Sequence, residues 1–558
     1  MTGLKKRLSL AAASLAMMAL AAPMASMGWA QTTQLTREDA EKDPVLKAML
    51  TELDRSMNEL QLKGFQKPFF IQYRVDDVEG YSTRAEFGAS TGAGHFHRRG
   101  AFVTVDVGDY KQDSSGRGDS APALEVLDND EIALRSALWM ATDQAYKGAL
   151  DAYAHKQADL KQVQTPPEAD DFSHEKPVIV LEEPKHIQVD EKAWERAVAE
   201  ASGLFLADGK VSAGKQDVQY SQAYLDAGAT TSYLVNTEGT ITRSSVTHYD
   251  LDFSAGGQAA DGMHLDRSYY VAGNSVADLG DAAQFKQHAL DCLTGFAELR
   301  QAPLVDEEYH GPLLMDGDAA AGTLKGLLAR AVTASRPPLG TQARTTGPFA
   351  SSLHARVLPE FMDVTDDPSL ASYNGKGNVG TYTVDQEGVP AQAVALVVAG
   401  KLENYLIGRE PVKDFPQSNG HGRAGMFGPA QPSIGVLRIT AKDGVSLDEL
   451  NEKLLAMAKD RGLSAVYFVE AMAAGGPRLL YKETADGKRT LVRGARLEDL
   501  DLRALRAGVV AAGKELFANN QVGGAAATVL APALLFDDVT VKRANEKNDK
   551  LPYYPPPD

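Results

Sequence analysis

The sequence predicts an α+β fold of two domains: an N-terminal one mixing helices with antiparallel strands, and a C-terminal one dominated by a large, mostly antiparallel sheet. Three observations predict it. The chain has 558 residues, too many for a single hydrophobic core. Strand-like runs follow one another directly over 211–255, with helical patterns grouped around them, and the second half adds more strands with few helices. A break in character falls at 302–308, so the expected domains are 31–305 and 306–558.

Composition narrows the function classes. Hydrophobic residues at 44% and charged residues at 24% describe a globular protein, neither disordered nor membrane-embedded. A formal net charge of -18 repels nucleic acid and anionic lipid as non-specific partners. Residues 1–30 read as a signal peptide: Lys5-Lys6-Arg7 is a basic start, 8–22 is small and apolar, and Gly28-Trp29-Ala30 offers small residues for cleavage near Ala30. The expectation is export to a periplasm or the extracellular space, with loss of those three cations taking the charge from -18 to about -21. No later stretch approaches the roughly 18 apolar residues of a spanning helix, so no transmembrane segment is expected in the mature chain. Cys292 is the only cysteine, which excludes an intramolecular disulfide.

Taken in order, 44–62 is an amphipathic helix, because Leu46, Met49, Leu50, Leu53, Met57 and Leu60 mostly fall three or four apart. Strands are predicted at 69–75, 81–88 and 98–108. His95 and His97, two apart, share a strand face in a spacing that suits a metal, but no third ligand stands nearby, and a polar hairpin end fits better. A long helix at 129–160 precedes a surface loop at 162–185. There His174-Glu175 starts like a zinc helix, yet Val178 and Ile179 stand where a histidine should return, and Pro177 opposes the helix. A helix at 189–206 leads to strands at 211–225, 230–236, 239–247 and 249–255, with turn chemistry at Asn236-Thr237-Glu238-Gly239 and at Asp261-Gly262. The helix at 282–299 sets Cys292 among Ala289, Leu293 and Phe296 as a small buried hydrophobe.

In the second half, a strand at 309–315 and a small-residue helix at 317–334 precede a hairpin of 392–398 and 402–406 around Ala399-Gly400. Further strands are predicted at 435–439, 466–473, 478–483, 489–492, 525–530 and 536–542, with helices at 447–459 and 497–512. The loop after the central hairpin has almost nothing to bury, yet carries Asn419, His421 and Arg423 between glycines. Arg423 suits a carboxylate and His421 a proton transfer. Asp385 and Glu387, at the entry to the hairpin, could meet a peptide amine. These five are the binding candidates.

Across nearly the whole mature chain, an ordered set of short motifs resembles the TldD/PmbA family, the metallopeptidase-related "modulators of DNA gyrase". They are FFIQYR from Phe69, YLVNTEGTITR from Tyr233, Asp261-Gly262-Met263, YHGPLL from Tyr309, Asp318 to Ala321, Asp366-Asp367-Pro368, DQEGVP from Asp385, Gly408-Arg409 and SNGHGR from Ser418. The resemblance implies a two-domain dimer. In TldD-type members a helix bearing HExxxH supplies two histidine ligands and a glutamate base, and a C-terminal cysteine completes the metal site. PmbA (TldE)-type partners lack that motif and form the other half of a heterodimer acting on peptides. Here the corresponding stretch, LKGLLARAVTA from Leu324, has neither histidine nor carboxylate, and Val522-Gly523-Gly524 and alanines stand where the cysteine is implied. The resemblance therefore implies an inherited scaffold without its metal centre: no metal ligand, no cofactor, and zinc only if a site has been relocated.

Three functions fit. The first is an exported peptide- or partner-binding subunit, as a homo-oligomer or in a heterodimer with a TldD/PmbA-like chain. The second is a hydrolase with a relocated site near His421 and Arg423, joined by His310 and His354. The third is a structural or self-assembling surface protein.

Overall fold

The computed structural model describes residues 35–115, 119–124, 126–164, 167–206, 217–473 and 476–544. The predicted leader (1–30) and the Pro/Tyr-rich end (551–558) lie outside these residues, as does the start of the strand predicted from 211. The described residues from Thr36 onward form one compact unit built on two large sheets, with two two-stranded ones besides.

The N-terminal domain opens with α1 (Arg37–Ala40) and α2 (Pro44–Glu59). Asp43 caps α2 by accepting from the Val45 and Leu46 amides, and Pro44 follows where its missing N–H costs nothing. Then come β1 (Pro68–Glu86), β2 (Ala89–Val107), β3 (Ser120–Leu124), α3 (Glu131–Leu160), β4 (Ile179–Leu181), α4 (Glu191–Ser202), β5 (Tyr220–Asn236), β6 (Ile241–Gln258), β7 (His264–Gly273) and α5 (Ala282–Gln301). The sheet runs β3-β2-β1-β5-β6-β4 with β7 also on β6, antiparallel except for β4 against β6.

Where the sequence predicts pairs of short strands, the structure has single strands of 19, 17 and 18 residues in β1, β5 and β6. The glycines that suggest breaks are instead gaps filled from neighbouring strands. Phe96, Gly80, Gly228 and His248 form one line of cross-strand partners. A Cβ on Gly80 would lie 2.3 Å from the Phe96 ring, and one on Gly228 would lie 2.6 Å from that of His248. Each glycine thus makes room for an aromatic side chain without ending the strand. The strand β7 is likewise absent from the sequence reading.

Long strands let one sheet face carry two cores. Odd-numbered residues Ile71, Tyr73, Val75 and Val235 pack with α2 and α3, whereas Tyr81, Leu225, Leu251 and Phe253 pack with α4 and α5. Even-numbered residues face the other way. In the near half they meet the C-terminal domain: Arg74 donates to the Gly425 and Gly428 carbonyls, and Gln72 to that of Gln386.

The C-terminal domain comprises β8 (Tyr309–Met315), α6 (Gly317–Leu328), β9 (Met362–Asp366), β10 (Ser372–Tyr373), β11 (Lys376–Gly377), β12 (Val394–Val398), β13 (Lys401–Leu402), β14 (Gly422–Arg423), β15 (Gln431–Pro432), β16 (Val436–Ala441), α7 (Leu447–Asp460), β17 (Ala465–Ala473), β18 (Gly476–Thr484), β19 (Arg489–Val492), β20 (Ala495–Glu498), α8 (Leu502–Gly508), β21 (Val509–Gln521) and β22 (Ala527–Arg543). Its 11-stranded sheet runs β13-β12-β9-β16-β22-β8-β17-β18-β19, with β20 and β21 also on β22. Only β16 on β22 and β17 on β8 are parallel. The central hairpin turns at Ala399 and Gly400 with φ of 48° and 73°, a left-handed pair that matches strand twist. Two expectations are corrected. The helix predicted at 497–512 is β20, the seven-residue α8 and the start of β21, because Asp501 caps a helix that stops at Gly508. The strands predicted at 525–530 and 536–542 are one, β22, which carries Pro532 where its pairing with β21 slips register. Among the described residues no helix is long and apolar enough to cross a membrane.

Candidate functional site

The five candidates around the central hairpin come together, with Asp385, His421 and Arg423 buried and Glu387 and Asn419 half-buried. Asp385 is 3% exposed; its Oδ1 accepts from the Glu387 and Val389 amides at 2.9 Å, closing a turn, and its Oδ2 accepts from the Gly422 amide at 2.8 Å. Glu387 accepts from the Arg409 amide at 2.7 Å. Its carboxylate fills the space over Gly422, where a Cβ would lie 1.9 Å from Oε2. Burial raises both carboxyls, and the Asp385 charge raises Glu387 further.

Asn419 acts as a backbone substitute. Its Oδ1 accepts from the Ile407 amide at 2.9 Å and its Nδ2 donates to the Tyr405 carbonyl at 2.7 Å. His421 is fully buried, with Nε2 3.2 Å from Asp366 Oδ1 and Nδ1 3.0 Å from the Asn419 carbonyl. Asp366 in turn receives the Gly435 and Val436 amides. Arg423 lies with its guanidinium 4.4 Å from the Tyr382 ring and donates to the Ile434 and Ala526 carbonyls. Burial lowers its pKa. Every polar head of the loop that looks available in sequence is therefore engaged in pinning the loop to the sheet.

The histidines of the alternative site are not brought together. His310 sits with Thr540 and Glu308, His354 with Glu403, and His421 with Asp366. His95 and His97 likewise have partners of their own, Glu191 and Asp77. Among the described residues, no three His, Cys, Asp or Glu side chains group in a way that could hold a metal ion.

Sequence reasoning noted Arg409 only as part of the Gly408-Arg409 motif and gave it no role, yet it joins the domains. It is 1% exposed, with its guanidinium 4.0 Å from the Phe172 ring and 5.0 Å from that of Phe70. Its Nη2 donates to Glu238 Oε1 at 2.8 Å and to the Ser173 carbonyl. Its Nη1 lies 2.7 Å from Glu238 Oε2 but off the hydrogen-bond axis, so that contact is Coulombic. Gly408 beside it was the available signal, since its missing side chain admits Glu387.

The open polar surface lies elsewhere, along α6 and the far half of the N-terminal sheet. Helix α6 follows β8 and buries Ala319, Ala320, Ala321, Leu324 and Leu328. Its outer side carries Asp318, Gly322 and Gly326, exposed, and Lys325, which donates to Gln521. Partial desolvation by the surrounding chain raises the Asp318 carboxyl even at this exposed position, the Asp316 charge adds to the rise, and Arg478 opposes it. Arg478 pairs across the domains with Asp266 (3.1 Å) and Ser268 of β7. Nearby, Asn520 at the end of β21 donates to the Ala272 carbonyl. The β5–β7 face beside these contacts presents Tyr220, Tyr224, Asp226, Asp250, Asp252 and Tyr270.

Residues 308–543 match the family model for the PmbA/TldA metallopeptidase C-terminal domain. Among proteins of curated function, none is similar in sequence. Solved structures share the fold. TldE from Thermococcus kodakarensis is 14% identical with a TM-score of 0.58, over 88% of this chain and 99% of that one. A protein described as a modulator of a DNA gyrase from Thermotoga maritima is 14% identical with a TM-score of 0.56, over 85% and 96%. One described likewise from Bacteroides thetaiotaomicron is 13% identical with a TM-score of 0.56, over 91% and 99%. Residues 308–543 thus resemble the PmbA/TldA metallopeptidase C-terminal domain, and the chain shares its two-domain fold with these proteins at low identity.

Proposed function

We propose that this is an exported, metallopeptidase-related binding protein that takes a peptide or a partner chain on the surface between α6 and the far half of the N-terminal sheet, without the metal centre of TldD-type members. The observation that carries the reading is α6 itself. It follows β8, the strand holding YHGPLL, and turns Asp318, Gly322, Lys325 and Gly326 outward, a side with open space over both glycines. A histidine–glutamate metal helix needs imidazoles on that side, and the sequence has none there. The division near residue 305, the basic and apolar leader, and assembly as a dimer with a second copy or a TldD/PmbA-like chain belong to the same reading.

The Asp385, Glu387, Asn419, His421 and Arg423 cluster enters this reading as an internal brace of the C-terminal domain. The relocated hydrolase has no such support, since its histidines are dispersed. The test is retention of peptides from a mixed, unstructured library by the purified mature protein, with bound and unbound peptides sequenced by mass spectrometry. Recovery of a retained set in intact form supports the proposal. A library passing through unretained, or recovered as fragments, contradicts it.

A further inference from the structure

The far half of the β1–β5–β6–β7 face is built from rows of cross-strand partners. One row reads Arg84, Tyr224, Asp252, Tyr270; the adjoining one pairs Ser82 with Asp226 and Asp226 with Asp250. Two of the acidic side chains on this face are already neutralised: Asp226 by Arg84 at 3.1 Å, and Asp266 by Arg478 at 3.1 Å. Asp250 and Asp252 form no such ion pair, and the same two arginines act on them only at longer range. Asp250 is only 7% exposed, yet among the described residues its carboxylate receives no side-chain hydrogen bond and forms no ion pair, while its backbone pairs in the ladder. It stands directly opposite Asp226, a like-charge pairing that destabilises a sheet and that an incoming cation would relieve. Beside it, Tyr270 remains 41% exposed and Tyr220 39% exposed. The same surface already shows that its rings accept a guanidinium, since Arg84 lies 5.3 Å from the Tyr224 ring centre.

We infer that Asp250 and Asp252, walled by Tyr270, form a seat for one cationic group of a peptide ligand, the ammonium of a lysine or amino terminus or the guanidinium of an arginine. The inference rests on the peptide-binding reading above and adds the ligand's charge and the residues that select it. A buried carboxylate without a partner costs stability, and a bound cation supplies the missing partner. Burial also raises both carboxyls, Asp250 to about 7 with the Asp226 and Asp252 charges adding and Arg84 opposing, and Asp252 to about 6 with Arg478 opposing.

The test uses the full mature chain and a fluorescein-labelled ten-residue peptide of alternating lysine and alanine, with its acetyl-lysine counterpart, read by fluorescence anisotropy. Asp250→Asn with Asp252→Asn should weaken the lysine peptide about tenfold or more, as loss of charge-assisted contacts does. Asp443→Asn with Glu452→Gln, which removes two exposed carboxylates elsewhere, should leave binding unchanged. Tyr270→Leu should weaken it at constant net charge, and the acetylated peptide should bind poorly to every form. Because Asn is isosteric and relieves a buried charge, the double variant should fold, which thermal unfolding verifies. Equal loss in the two charge-removing pairs, or equal affinity for the two peptides, overturns the inference. Failure of the lysine peptide alone, with library peptides still retained, overturns only the cation seat; no retention of any peptide overturns the binding reading as well.

Discussion

Replacing Arg409 by methionine removes the cation that joins the two domains and leaves its surroundings intact. Methionine keeps an apolar stem but ends short of the guanidinium, so both the charge and its stacking on Phe70 and Phe172 are lost. Glu238 then stays where its side chain is only 12% exposed, with the Tyr110 hydroxyl at 2.9 Å as its remaining side-chain donor. Breaking a buried pair from one side typically costs about 3–5 kcal/mol, because a charge is stranded. At a urea slope of about 2–3 kcal/mol per molar, the midpoint should fall by roughly 1–2 M. Tryptophan fluorescence reads this well, since Trp139 on α3 and Trp194 on α4 both belong to the N-terminal domain. Adding Glu238→Gln removes the stranded charge, so the double variant should lose less than the sum of the single ones by about 2–3 kcal/mol. A loss under about 1 kcal/mol in Arg409→Met, or additive single losses, would refute the clamp.

Other outcomes follow from the same geometry. Asp250 titrates near 7 when folded against about 4 when unfolded, so the folded state holds the extra proton between those values; stability should fall as pH rises through 7. Asp250→Asn should remove most of that slope, which reflects burial first and then the Asp226 and Asp252 charges against the opposing Arg84, and raise stability at pH 8 by up to about 4 kcal/mol. Gly422→Ala drives a Cβ into the Glu387 carboxylate and should cost about 1–3 kcal/mol in the same urea assay; a neutral result would show that the loop yields. Cys292, 5% exposed and with burial pushing its thiol up to about 11, should resist a thiol reagent in native buffer and react in urea. Rapid native labelling would contradict the packing of α5.

Element type was legible wherever spacing is enforced by a single local partner. The apolar stripe at 44–62 gives α2, the run at 309–315 gives β8 residue for residue, and Ala399-Gly400 supplies the hairpin turn. Strand length was not legible, because the reason that Gly80 does not end β1 is a phenylalanine 16 positions later on β2. The 497–512 error has the same origin: β21 is fixed by its ladder with β22, which overrides the helical spacing of its first residues. For the candidate loop, residue type was informative and exposure was not. Asn419, His421 and Arg423 do cluster, but the groups that satisfy them (Tyr405, Asp366, Ile434, Ala526) come from elsewhere in the C-terminal domain. Nothing local marks a polar loop as an interior one. Asp250 and Asp252 were passed over for the opposite reason, since alternating acidic residues in a strand read as an ordinary solvated face until the register sets Asp226 against Asp250.

The central claim, binding without the family's metal centre, is tested most directly by elemental mass spectrometry of the purified mature protein, run beside cleavage of the peptide library with and without chelator. The expected result is no stoichiometric divalent metal, and peptides retained intact whether or not chelator is present. One tightly bound zinc per chain with chelator-sensitive cleavage would contradict it, and would show that ligands outside α6 had rebuilt the site.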